Sequence, residues 1–121
     1  MTKKILCVDD NPADLKNLQR IIASQNFLSV TASSGAEAIA KARAERPNLI
    51  LMDIIMDGMD GFNTCRELRK DAELSAIPIV FVSSKNQKAD HMWAAKQGAK
   101  ALISKPYTDA DILNQITALV G

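Results

Sequence analysis

Five positions combine residue types that do chemistry together: Asp9 with Asp10, Asp53, Ser83 and Lys105. Each stands at the end of a short apolar run, as its first polar residue or as one of a polar pair. Gathered in one place, they make a cluster of carboxylates, a hydroxyl and an ammonium. Two like charges 4 Å apart repel by about 4 kcal/mol at an effective dielectric near 20. Close carboxylates therefore share a proton or hold a cation. An all-oxygen set with no His or Cys suits Mg²⁺, and no EF-hand loop is present to favour Ca²⁺. A carboxylate beside Mg²⁺ and a lysine is also a nucleophile toward phosphorus. Asp53 is expected to be that nucleophile, because its strand is central. Asp9 and Asp10 would hold the metal with Asp53, and the Ile55 backbone carbonyl would add an oxygen. In-line phosphoryl transfer needs its equatorial oxygens neutralised. Mg²⁺, Lys105, and Ser83 with nearby backbone N–H groups would cover them. Plain structural roles compete at each position. Asp9-Asp10 would complement a helix dipole, Asp53 would close a turn, Ser83-Ser84 would cap a helix, and Lys105-Pro106 would be a solvated loop.

The elements that must position these residues follow from hydrophobic rhythm. Lys4–Val8, Leu28–Ala32, Leu49–Met52, Ile79–Val82 and Ala101–Ser104 read as strands, and the apolar runs among them suit strands covered on both faces. Helical spacing lies between them. It carries Leu15, Leu18, Ile21 and Ile22 after Pro12, then Ala38, Ile39 and Ala42 before Pro47. It continues with Phe62, Cys65 and Leu68 after Gly61, then Met92, Trp93 and Ala95 before Gly98, and last Ile112, Leu113, Ile116 and Leu119. This β-α alternation predicts an α/β fold. We expect a flavodoxin-like (βα)5 doubly wound parallel sheet with strand order 2-1-3-4-5. Its binding crevice lies beyond the carboxyl ends of the strands, at the switch between strands 1 and 3. The five chemical positions fall at that edge.

Composition narrows the function classes. The 121 residues fit a single domain spanning 1–121, with no effector domain expected. Lys and Arg number 15 and Asp and Glu 14, and this balance argues against a nucleic-acid partner or a polybasic membrane anchor. No run is long enough to span a membrane, and the N-terminus lacks the apolar stretch of a signal peptide. A cytoplasmic location is expected. Cys7 and Cys65 are then reduced core thiols, and with a single His a Cys/His zinc site is excluded.

At these residues the sequence resembles the receiver domain of bacterial response regulators. The matching text is Ile5–Asp10 (ILCVDD), Leu51–Gly61 (LMDIIMDGMDG), Ile77–Ser83 (IPIVFVS), Gln97–Ala99 (QGA) and Ser104–Pro106 (SKP). The resemblance implies Asp53 as phosphoacceptor, Asp9 and Asp10 as Mg²⁺ ligands, Ser83 as switch hydroxyl and Lys105 as the phosphate-contacting lysine. It also implies a cis Lys105–Pro106 bond. It implies a switch rather than a turnover enzyme, with self-phosphorylation and slow autodephosphorylation as its only chemistry. The tract Asp71–Ser84, with Trp93 and Lys96–Ala99, is similar to the stand-alone receivers of twitching-motility chemosensory systems. That likeness implies a chemotaxis-type histidine kinase as donor, a downstream motility protein as partner, and control of type IV pili. A monomer is expected.

The chain departs from the family pattern in places. Asp57 stands where a proline is usual, and Leu102 where an aromatic is usual. Ile55 and Lys85, two residues beyond the aspartate and the hydroxyl, flank the path of an attacking water and are expected to tune phosphoryl lifetime. The face built from the fourth helix, fifth strand and fifth helix is expected to change on phosphorylation and offers Met92, Trp93, Lys96, Tyr107 and Ile112. Trp93 is expected to pack inward and Met92 to lean outward. The rival classes are a Mg²⁺-dependent aspartyl phosphohydrolase and a docking module that works without phosphorylation. Ile55, where a hydrolase commonly has a second acid, counts against the first, and the complete acid, hydroxyl and lysine set counts against the second.

Overall fold

The computed structural model describes residues 2–121. Five strands alternate with five helices: β1 Lys4–Val8, α1 Pro12–Ala23, β2 Leu28–Ala32, α2 Gly35–Glu45, β3 Leu49–Met52, α3 Gly61–Lys70, β4 Ile79–Ser83, α4 Lys88–Lys96, β5 Ala101–Ser104 and α5 Asp109–Val120. All strand pairs are parallel, in the order β2-β1-β3-β4-β5. The expected sheet is therefore the observed one.

The apolar runs feed two cores because successive side chains point to opposite faces of a strand. Leu6, Val8, Ile50, Met52, Ile79 and Phe81 face one side, where α2 and α3 contribute Ala38, Ala42, Phe62, Cys65 and Leu68. Phe62 and Phe81 meet edge to face, with centroids 5.3 Å apart. Ile5, Cys7, Leu49, Leu51, Val80 and Val82 face the other side, against Leu18, Ile21 and Ile22 of α1 and Ile112 and Ile116 of α5.

Helix starts are set by side-chain caps that satisfy otherwise orphaned N–H groups. The Asn11 Oδ1 accepts from the Ala13 N–H at 2.9 Å, with Pro12 opening α1. The Asp60 Oδ1 accepts from Asn63 at 2.8 Å to start α3. Thr108 and Asp111 exchange side-chain bonds at the start of α5. Asn11 and Gln87, not Asp9-Asp10 or Ser83-Ser84, stand at the caps of α1 and α4. The plain capping role considered for Ser83-Ser84 therefore falls away.

The inner face of α4 differs from expectation. Its buried residues are Asp90 and Ala94, whereas Trp93 is 46% exposed and Met92 61%. The reason is that Asp90 reaches the interior as a satisfied anion. Its Oδ2 accepts the Gln87 N–H at 2.9 Å and its Oδ1 lies 3.0 Å from the Lys85 ammonium. A helix of 9 residues with Asp90 and Ala94 inward turns its Trp to solvent, where the Lys96 ammonium lies 6.0 Å from the ring centre. Ile112 is also corrected: it is fully buried against the sheet and presents no surface.

Candidate functional site

Backbone bonds at the carboxyl edge carry the strand register just past the strand ends. The Asp9 N–H donates to Ala32 O at 3.1 Å, the Asp53 N–H to Val8 O at 2.9 Å, and the Lys105 N–H to Ser83 O at 3.0 Å. Asp9, Asp53 and Lys105 are thus fixed by the sheet itself rather than by a free loop. Gly61 adds a second constraint. Its N–H donates to Ile54 O at 2.8 Å, and a Cβ there would collide with the Asp53 carbonyl and lie 2.7 Å from Ile54 Cα. Only glycine lets the first turn of α3 press on the segment after Asp53.

The side chains converge on one ammonium. Lys105 Nζ lies 2.8 Å from Asp9 Oδ2, 3.1 Å from Asp53 Oδ2 and 3.1 Å from Asp14 Oδ2. The other oxygens of the two edge aspartates take backbone donors: Asp9 Oδ1 accepts from Asn11 at 2.9 Å and Asp53 Oδ1 from Ile55 at 3.2 Å. Burial raises the Asp9 carboxyl above the usual range, against the pull of the Lys105 hydrogen bond. Burial alone would lower the Lys105 ammonium, but its hydrogen bonds to Asp9, Asp53 and Asp14 win and hold it above the ordinary lysine range.

The other expected members lie around this centre. Asp10 is exposed at the rim, and its Oδ2 accepts the Asp57 N–H at 3.4 Å. Asp57 and the following Gly58, with φ 77°, form an exposed turn. Ser83 is buried at the end of β4, and its Oγ accepts the Lys85 N–H at 3.2 Å. The Ile55 side chain is 54% exposed. The Lys105–Pro106 bond is cis. Strand-end reasoning missed Asp14, which sits in the first turn of α1, and the positioning role of Gly61, which it read only as a helix start and as part of a motif. The signal for Asp14 was partial: Pro12 places position 14 in the first turn of α1, and only the packing of α1 brings that turn to the sheet edge.

Among the described residues, no three acidic, His or Cys groups form a ready-made metal cage. The donor chemistry nonetheless fits Mg²⁺. The carboxylates are oxygen-only, they already converge on a positive charge, and Mg²⁺ commonly binds through one or two carboxylates while keeping its waters.

The sequence profile of the response regulator receiver domain matches residues 5–117. The chain belongs to the response regulator receiver domains. Across 118 residues the receiver is 38% identical to protein PilH of Pseudomonas aeruginosa, covering 98% of each chain. Its fold superposes on the chemotaxis protein CheY4 of Vibrio cholerae with a TM-score of 0.93 at 23% identity, covering 99% of this receiver and all of that chain. It also superposes on the receiver domain of the sensor histidine kinase PA1611 from Pseudomonas aeruginosa, solved with a magnesium ion coordinated in its active-site cleft. There the TM-score is 0.91 at 23% identity, over 100% and 99% of the two chains. As a receiver domain, the chain is a module of two-component signalling, a class of switches rather than turnover enzymes. Among the described residues, no helix is long and apolar enough to cross a membrane.

Proposed function

We propose that this receiver is a phosphorylation-driven switch in which Asp53 takes a phosphoryl group from a histidine kinase of the chemosensory type. The observation that carries the reading is the contact of one ammonium, Lys105 Nζ, with both Asp9 and Asp53 at the carboxyl edge of the central strands. An Asp53 carboxylate oxygen attacks phosphorus as the bond from phosphorus to the donor imidazole nitrogen breaks, and the imidazole leaves. Lys105, already beside Asp53, neutralises one equatorial oxygen. Asp9, Asp10, Asp53 and the Ile55 carbonyl would hold Mg²⁺, which when bound supplies charge neutralisation to the transferring group.

The switch follows from charge. The product carries about −1.5 to −2 in place of a carboxylate charge. Ser83 turns its hydroxyl to the new oxygens and gives up the Lys85 N–H, drawing the segment before α4 inward. Moving a two-state element from 1:99 to 99:1 needs about 5.5 kcal/mol. Two charge-assisted hydrogen bonds at roughly 1.5–3 kcal/mol each reach that scale. The output surface is the face of α4, β5 and α5, where Met92, Trp93 and Lys96 are exposed. The likeness to PilH supports control of type IV pilus twitching motility through a downstream motility protein. Intact mass after treatment with acetyl phosphate and Mg²⁺ tests the reading. Wild type gains one phosphoryl group and Asp53→Asn gains none, and chelating the metal prevents the gain. Modification of both proteins, or of neither, would overturn it.

A further inference from the structure

The mechanism leaves Asp14 unused. Its Oδ2 lies 3.1 Å from Lys105 Nζ, as close as Asp53, yet it belongs to α1 and not to a strand end. The three acids differ in surroundings. Asp9 and Asp53 have side chains 3% and 10% exposed, and each also accepts a backbone N–H. The Asp14 side chain is 36% exposed, more than either.

A divalent cation that takes the same Asp9 and Asp53 oxygens competes with the Lys105 ammonium for them, because like charges a few ångströms apart repel. The bonds of Lys105 to both then weaken. Asp14 is the remaining acid already in contact with it. We propose that Asp14 is a positioning residue that retains the Lys105 ammonium at the cleft when Mg²⁺ enters, which keeps the lysine poised for the phosphoryl oxygen. This rests on the switch reading above and adds to it a residue that makes metal binding and lysine placement compatible. Without the Asp14 carboxylate, Lys105 has acid partners only in the metal-free cleft. It then competes harder with the metal.

A double-mutant cycle on metal affinity tests this. Mg²⁺ binding is followed by calorimetry at fixed ionic strength for wild type, Asp14→Asn, Lys105→Met and the double variant. Asp14→Asn is expected to weaken Mg²⁺ binding about tenfold, the low end for groups that orient a metal's ligands. Lys105→Met removes the competitor and tightens it. In the Lys105→Met background, Asp14→Asn changes affinity by less than about twofold, and Asp14→Glu in the wild-type background restores most of the loss. An equal loss in both backgrounds would mean that Asp14 acts only through its long-range charge, and no loss in the wild-type background would mean that it does not act at all. Either result overturns the proposal and leaves the switch reading standing. A wild-type protein that binds no Mg²⁺ at millimolar concentration would sink both.

Discussion

Lys105 is the residue on which the cleft's electrostatics turn. Its three acid partners stabilise the charged ammonium more than partial burial disfavours it, and its pKa rises. The linkage sign follows. A base with a raised folded pKa contributes stability that is fully present below its unfolded value and is lost as pH climbs through the folded one. Lys105→Met leaves Asp9 and Asp53 close together with no counter-charge. It is expected to cost about 1–3 kcal/mol at pH 7 in urea unfolding, less than a fully buried broken pair because the cleft is open to water on one side. The gap between wild type and variant should hold up to the ordinary lysine value of 10.5 and narrow above it. A gap that widens at high pH would contradict the assignment of Lys105 as a stabilising cation. Asp9, Asp53 and Lys105 were legible in the sequence because each is a polar residue ending an apolar strand. Asp14 was not, because a helix residue reaches the same edge only through the angle at which α1 packs.

Elements, rather than single side chains, aim the site. The sheet places Asp9 and Asp53 by parallel register, and α3 braces the segment after Asp53 through Gly61. Helix propensity alone favours replacing a helical glycine with alanine. Here packing reverses the sign, because the new methyl group meets the Asp53 carbonyl and Ile54 Cα. Gly61→Ala is expected to cost about 1–3 kcal/mol, the range for overpacking. It should also slow phosphoryl acceptance by displacing Asp53, which intact mass against time would show. An unchanged rate together with wild-type stability would remove Gly61 from the positioning of the site. Helix α4 shows where periodicity misleads. Met92, Trp93 and Ala95 look like an apolar stripe, yet the buried pair is Asp90 and Ala94, since an anion held by Lys85 and the Gln87 N–H can turn inward. Hydropathy has no access to such a partner.

At the scale of the molecule, two cores sandwich one sheet, and each holds a buried thiol. Cys7 lies in the core under α1 and α5, and Cys65 in the core under α2 and α3. Burial pushes the Cys7 thiol up to about 12 and raises Cys65 as well, and Cys65 Sγ also donates to Gln97 O at 3.3 Å. Thiolate is the reactive form, so both should resist a thiol reagent in the folded protein. Labelling across a urea series is expected to track the loss of helical circular dichroism for both cysteines, with one midpoint. Labelling of Cys65 well below that midpoint would show that the α2–α3 layer opens separately.

Strand ends, the β-α alternation and the all-oxygen character of the cluster were decided by the order of residue types. These are local patterns: an uninterrupted apolar run in a strand needs cover on both faces, and the polar residue that ends it must lie at a sheet edge. The Asp14 contact of Lys105, the inward turn of Asp90, the outward turn of Trp93 and the demand for glycine at position 61 were decided only by tertiary structure. Each depends on how closely groups approach in space, and packing geometry sets that distance, not the sequence pattern on either side.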